Sequence, residues 1–279
     1  MTQTASVSVD TGTETVLATV ADGVAVLTLN RPHRRNALHP EMYEALPRLL
    51  ARFATDDDIG CVLLTGAGNA FCAGGDVRDG GSARDVPDGD REMQIRARTA
   101  ILADNARIVT LLHTMPKITV AALPGAAVGA GMSIALAADL RIAARSARLI
   151  PGWATLAFSG DFGGAWFLTR LVGPSKALEL LIADRPIDSD AAHGLGLFNR
   201  VVDDADLGAE ALRWATQIAA GPTYAFAGTK ANVADARHLS LENALRAESE
   251  RMVRCGLTDE HRRAVTAWLA ASSTKKAKR

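Results

Sequence analysis

The chain has 279 residues, of which 48% are hydrophobic, and its 31 Lys+Arg balance 31 Asp+Glu to a formal net charge of +0. That is enough apolar side chain for one large core, which excludes a wholly disordered chain, and the charge balance excludes a general pull toward nucleic acid or anionic membranes. The 3 cysteines, Cys61, Cys72 and Cys255, lack CxxC or histidine spacing, so they read as buried or incidental thiols in a reducing compartment, with neither a disulfide framework nor a metal site. Residues 1–13 carry no secretory pattern and no run approaches the ~20 apolar residues of a membrane span, so the expectation is a soluble, cytoplasmic protein.

Val16–Val20, Asp22-Gly23 and Val24–Leu29 predict a β-hairpin, two strand-like runs around a turn dipeptide. His39-Pro40-Glu41 opens an amphipathic helix reaching about Phe53, with Met42, Leu46, Leu49, Leu50 and Phe53 on one stripe; Pro47 inside it should kink or break it. Cys61–Thr65 is a strand, residues 77–90 read as a mobile loop rich in Gly and Asp, and Arg91–His113 as one helix closed by Met115-Pro116. Strand and helix then alternate: Ile118–Leu123, Ala130–Ala138, Leu140–Ala143, Lys176–Ile182 and Leu197–Val202. That alternation predicts an α/β core over 14–204. After Asp206 only helical patterns remain, at about 206–219, 223–235, 240–255 and 259–271, giving a C-terminal helical region over 205–271. The basic end Lys275–Arg279 reads as a frayed, solvated tail.

Two glycine-rich turns stand out: Phe71-Cys72-Ala73-Gly74-Gly75-Asp76 and Gly125-Ala126-Ala127-Val128-Gly129-Ala130-Gly131. Each follows a strand-like run and opens a helix-like segment. Glycine admits close backbone approach, and a helix start leaves N–H groups without partners. Two such turns, if they converge, make an oxyanion hole, whose donors contribute ~3–4 kcal/mol each to an acyl-transfer or enolate-forming transition state.

These turns resemble the crotonase superfamily, the enoyl-CoA hydratase/isomerase family. The resemblance extends to Leu29-Asn30-Arg31-Pro32 with Asn36-Ala37-Leu38, to Pro116-Lys117, to Ala138-Asp139-Leu140-Arg141 and to Leu168–Gly173. It implies a ββα spiral core, a C-terminal helical trimerisation region, and a homotrimer or dimer of trimers. It also implies an acyl-CoA substrate, with coenzyme A near Arg34, Arg35, Ala37 and Leu38, and no metal or cofactor beyond that coenzyme A. The backbone N–H groups of Gly75 and Ala130 would hold the thioester oxygen, with Ala73 and Asp76 beside the first turn. Arg34 and Arg35 suit phosphates through their planar forks, though a solvated turn explains them too. Asp76 also fits a cap on a following helix. Lys230 and Trp268 match positions where the family's ligand can meet a helix, and surface or core roles fit them equally.

Hydratases of the family use two glutamates, and the matching positions here are Ser133 and Trp153. Neither shuttles a proton as a carboxylate does, which argues against two-carboxylate water addition. Asp161, in Gly160-Asp161-Phe162-Gly163-Gly164 with Trp166 following, resembles the acid/base of Asp-dependent enoyl-CoA isomerases. Paired with Trp153 it also resembles the nucleophile of 4-chlorobenzoyl-CoA dehalogenase. That branch's histidine corresponds to Ala106 and its first-turn aromatic to Gly75; His113 lies about two turns further along. Proton transfer is therefore favoured over displacement, and non-catalytic acyl-CoA binding stays open. As plain structure, Asp161 reads as an N-cap worth ~1 kcal/mol, Ser133 as packing, Trp153 as pocket wall or core, and Asp139 with Arg141 as an ion pair.

Overall fold

β-Branched and leucine-rich runs divided by glycine corners form two sheets in the computed structural model, which describes residues 6–76 and 89–277. β1 (Val7–Val9), β2 (Val16–Ala21) and β3 (Val24–Leu29) are antiparallel, and Ala21 stands opposite Val24. The intervening Asp22 and Gly23 have φ of 49° and 74°, the left-handed pair of a two-residue hairpin turn. The expected hairpin is present.

Three strand-strand-helix units follow α1 (Pro40–Thr55). The first is β4 (Cys61–Gly66) and β5 (Ala70–Cys72) with α2 (Arg91–Asn105) and α3 (Arg107–Thr114). The second is β6 (Ile118–Leu123), β7 (Ala126–Val128) and α4 (Ala130–Ala137). The third is β8 (Leu140–Ala144) and β9 (Arg148–Ile150) with α5 (Gly164–Val172) and α6 (Pro174–Ala183). β10 (Ile187–Asp188), α7 (Ser189–Gly194), β11 (Arg200–Val202), α8 (Leu207–Ala219), α9 (Thr223–Asp235), α10 (Leu241–Gly256) and α11 (Asp259–Ala277) complete the order.

In each unit the first strand joins a seven-stranded sheet, β1-β2-β3-β4-β6-β8-β11, and the second a four-stranded sheet, β10-β9-β7-β5. Parallel pairing runs from β3 to β11 and through β5, β7 and β9. This is the ββα spiral that the resemblance implies. Parallel strands covered on both faces carry near-continuous apolar residues, as Val62, Leu63, Leu64, Val120, Ala121, Ala122 and Ile142 do in the core. α8 covers the large sheet through Leu207, Ala211 and Ala215, whereas α10 buries no side chain.

α4 holds the position that matters for function. All eight of its residues, Ala130–Ala137, are buried, so its N-terminus opens inside the molecule. An all-round apolar helix is stable only in such a position.

Several expectations change. Pro47 is buried within an unbroken α1. The ~3 kcal/mol penalty of an interior proline is outweighed by burial of Met42, Leu46, Leu49, Leu50 and Phe53, at ~1.5–3 kcal/mol for each large side chain. The helix expected over Arg91–His113 is two, joined at Ala106: α2 buries only Asn105, while α3 buries Ile108, Val109 and Leu112, so the break falls where exposed helix meets pinned helix. The strand expected from Leu197 begins at Arg200, because Leu197 N and Phe198 N bond back to Ala192 O at the end of α7. The loop expected over 77–90 lies outside the described residues except for Gly89 and Asp90, as do the side chains of Lys275–Arg279. No described helix is long and apolar enough to cross a membrane.

Candidate active site

The two glycine turns leave adjacent parallel strands, since β5 pairs with β7 and Cys72 stands beside Ala127. They touch. A methyl group built on Gly74, whose φ is +82°, would lie 2.8 Å from Val128 O and 3.6 Å from Ala130 N. One built on Gly131 would lie 2.3 Å from Cys72 O. Any side chain at either position would drive the turns apart. The N-cap of α4, Gly129, supplies no side-chain cap, and among the described residues nothing accepts a hydrogen bond from Gly75 N or Ala130 N. Two exposed-end donors therefore stand at the mouth of a buried helix N-terminus, a setting that favours developing negative charge.

The segment from Arg31 to Leu38 is laced to the first turn. Leu38 N donates to Gly74 O at 2.8 Å and Ala73 N donates to Arg35 O at 3.0 Å. The Asn36 side chain, fully buried, accepts from Arg31 N at 2.9 Å and donates to Ala67 O and Ala70 O at 2.9 and 2.8 Å. Arg31 is consumed by the scaffold, donating to Ala37 O at 2.7 Å and pairing with Asp76 at 3.1 Å. A cleft of about 380 Å³ results, lined by His33, Arg34, Arg35, Ala37, Ala73, Gly75 and Asp76. Arg34 and Arg35 line it with no ion-pair partner among the described residues. Two substrate-binding expectations shift here. Leu38 is 2% exposed and serves by its backbone, and Asp76 is an anchor for Arg31. The expectation that Asp76 caps a following helix falls on residues outside the described ones.

Asp161 stands across the second turn. Its carboxylate Oδ1 accepts from the Trp153 indole N–H at 2.9 Å, and its backbone O accepts from Ser133 Oγ at 3.1 Å and Gly164 N at 3.0 Å. Trp153 Nε1 lies 3.8 Å from a methyl built on Gly129, which ties this group to the α4 N-terminus. Gly164 admits no side chain, because a methyl there would meet the Trp153 ring at 2.4 Å and Ser133 Oγ at 2.7 Å. The N-cap reading is corrected: α5 is capped at Gly163 with no side-chain bond, and the Asp161 carboxylate turns to Trp153 instead. Ser133 is fully buried on α4 and holds the Asp161 backbone, not a ligand. Burial pushes the Asp161 carboxyl above its ordinary value, and the Trp153 bond offsets only part of that shift.

Tyr43 was not singled out from the sequence. On α1 its ring packs against Phe162 with centroids 6.2 Å apart, and its phenol is pushed up by burial first, with the Asp161 and Asp76 carboxylates adding to it. The only signal was an aromatic flanking the stripe of an amphipathic helix. Burial also pushes the Cys61 and Cys72 thiols up to about 12, which keeps them protonated and inert.

Other expected partners lie elsewhere. Asp139 pairs with Lys230 at 2.8 Å, not with the Arg141 side chain, which spends its guanidinium on Leu197 O, Leu136 O and Ala138 O. Lys230 is thus tied into the core, and Trp268 is 68% exposed on α11. His113 packs edge-on against Trp166 and Phe167, with centroids 5.2 and 5.4 Å away, and the charges acting on it are Lys230, Asp139, Arg237 and Arg170. His113, Asp139, Arg141, Phe167, Lys230 and Arg237 help line an apolar cavity of about 440 Å³ at the C-terminal end of α4, away from Ala130 at its other end.

The enoyl-CoA hydratase/isomerase family profile matches residues 19–275. The chain belongs to that family. It is 35% identical to 1,2-epoxyphenylacetyl-CoA isomerase of Escherichia coli, over 93% of this chain and 97% of that one. It is 31% identical to 4-chlorobenzoyl coenzyme A dehalogenase-2 of an Arthrobacter species, over 83% and 82%. Among solved structures, the enoyl-CoA hydratase of Polaromonas sp. JS666 superposes with a TM-score of 0.84 at 33% identity, covering 92% of this chain and 97% of that one. The protein is accordingly a crotonase-fold enzyme.

Proposed function

We propose that this family member moves a double bond along an acyl-CoA thioester by proton transfer. Gly75 N–H and Ala130 N–H receive the thioester oxygen, Arg34 and Arg35 receive coenzyme A phosphates, and Asp161 is the acid/base. Asp161 as carboxylate takes a proton from the α-carbon of a β,γ-unsaturated thioester. The electron pair moves into a dienolate whose negative charge rests on the thioester oxygen between the two N–H groups. Asp161 then returns the proton to the γ-carbon, leaving the α,β-unsaturated product. The observation that carries this reading is a half-buried carboxylate partnered by a neutral indole and held above its ordinary titration range, beside two unengaged backbone donors.

The Trp153–Asp161 hydrogen bond also favours a second reading, attack of Asp161 on an aryl-CoA ring. Hydrolysis of that intermediate needs a base to activate water, and Ala106 and the packed His113 provide none. The test is wild type against Asp161→Asn on a 3-enoyl-CoA, followed by the absorbance of the conjugated thioester, beside chloride release from 4-chlorobenzoyl-CoA. Isomerisation lost in the variant supports proton relay. Chloride release without isomerisation supports displacement, and neither activity leaves acyl-CoA binding alone.

Assembly is part of the proposal. Leu241, Leu245 and Met252 on α10, Leu257 at its C-cap, and Trp268 and Leu269 on α11 are more than half exposed, which suits burial between copies in a trimer. Light scattering would read its mass.

A further inference from the structure

Trp153 sits on a loop whose own geometry needs support. Gly152 and Ala157, on either side of the short turn Ala154–Leu156, have φ of 72° and 57°. Ala157 holds that conformation despite its Cβ, at a cost of about 1–2 kcal/mol. Backbone bonds within the loop are few: Leu156 N and Phe158 N donate to Trp153 O at 3.0 and 2.9 Å, and Ala157 N to Ala154 O at 3.0 Å. They fix the loop downstream of Trp153; upstream, β9 holds the chain as far as Ile150, whose O accepts from Gly129 N at 3.0 Å.

Between Ile150 and the turn, a further hold comes from the end of α6. Its C-cap, Asp184, is itself left-handed at φ 49° and donates its N–H to Leu180 O at 3.2 Å. The carboxylate then reaches the Trp153 loop with both oxygens. Oδ1 accepts from Gly152 N and Oδ2 accepts from Thr155 N, the latter at 2.6 Å. The two N–H groups flank Trp153, one residue before it and two after. Burial is the largest single influence on the Asp184 carboxyl and raises it, but the bonds from Thr155 and Gly152 together outweigh it and hold the group below the ordinary carboxylate range, so it clasps the loop as an anion at neutral pH.

We propose that Asp184 is a positioning residue of this site: by gripping the backbone on both sides of Trp153, it fixes the indole N–H on Asp161 Oδ1. The chain of contacts runs from α6 through the loop and the indole to the carboxylate: hydrogen bonds at both ends, joined by the covalent Trp153 side chain. The Trp153 N–H stabilises ionised Asp161, so an indole released from its clasp leaves the carboxylate with burial alone. The other titratable group facing Asp161 is Tyr43 on α1, which Asp184 does not touch. The effect on turnover rests on Asp161 being the acid/base; the effect on its titration does not.

The experiment follows the Asp161 carboxyl carbon and the Trp153 indole N–H by NMR of isotope-labelled full-length protein across a pH series. Asp184→Asn keeps a residue tolerant of the left-handed backbone but replaces one acceptor oxygen by a donor; Asp184→Gly keeps the backbone and removes both oxygens. Both variants are expected to shift the Asp161 titration upward and move the indole resonance. In a Trp153→Phe background, Asp184→Asn is expected to shift nothing further. An unchanged Asp161 titration in both variants, or an equal shift with and without the indole, would overturn the proposal. If the variants do not fold, wild-type amide exchange decides: Gly152 and Thr155 are expected to be protected at neutral pH and to lose protection together as Asp184 is protonated, and exchange independent of that step rejects the clasp. With a 3-enoyl-CoA substrate, kcat should fall while KM stays level; a shifted Asp161 titration with unchanged kcat would uphold the clasp and instead count against Asp161 as the acid/base.

Discussion

Asp139 and Asp161 are both carboxylates in apolar surroundings at the two ends of the same helical layer, and they are provisioned in opposite ways. A single oxygen of Asp139 accepts from Lys230 Nζ at 2.8 Å, Thr119 N at 2.8 Å and Thr119 Oγ1 at 2.9 Å. Among the described residues, the Asp161 carboxylate has only the neutral Trp153 N–H, on Oδ1. A carboxylate given a cation and two further donors is committed to those partners and holds structure together. One given a single neutral donor keeps a free oxygen and a raised pKa, the state a proton carrier needs. Burial alone does not mark a catalytic acid; the partner does.

The comparison breaks most visibly on substitution. Asp161→Asn should lower kcat for double-bond migration by about 10²–10⁴-fold, the range for a positioned acid/base, with unfolding midpoints no lower than wild type. Asp139→Asn should leave kcat near wild type in whatever fraction folds. Lys230→Met, which strands Asp139 in an apolar pocket, should cost about 3–5 kcal/mol in urea unfolding. A kinetic defect there with unchanged stability would reverse the two roles.

Smaller effects sharpen the contrast. Because the folded state raises the Asp161 pKa, folding favours its protonated form. The ionised group therefore burdens stability at neutral pH, and the burden disappears as pH falls below the ordinary value of 3.8. Asp161→Asn should thus be as stable as wild type or more so at pH 7, with the difference gone at low pH, as thermal melts across pH would read. Activity should decline as pH drops through a pKa above 3.8, and Trp153→Phe should move that limb further upward. Ser133→Ala, which removes one bond to Asp161 O already shared with Gly164 N, should cost only about 1 kcal/mol.

Much of this was legible in the sequence for a physical reason. Gly74, Gly131 and Gly164 are dictated by close backbone approach, and such constraints act through local chain geometry that a sequence displays directly. Asp161 was legible because a carboxylate beside a glycine turn has few uses. The pairings were not. Lys230 meets Asp139 across 91 residues and Asp184 meets Gly152 across 32, separations over which local pattern carries no information. The N-cap reading of Asp161 failed because the left-handed Gly163, two residues on, takes the cap position of α5, and Pro47 misled because one lost hydrogen bond is small beside five buried side chains.

The most direct test of Asp161 as a carrier that takes and returns one proton uses a 3-enoyl-CoA deuterated at its α-carbon, turned over in ordinary water. Transfer by this carboxyl slows the reaction and delivers deuterium to the γ-carbon of the 2-enoyl product, read by mass spectrometry. A product whose γ-carbon carries only solvent hydrogen, formed at an unslowed rate, would contradict it.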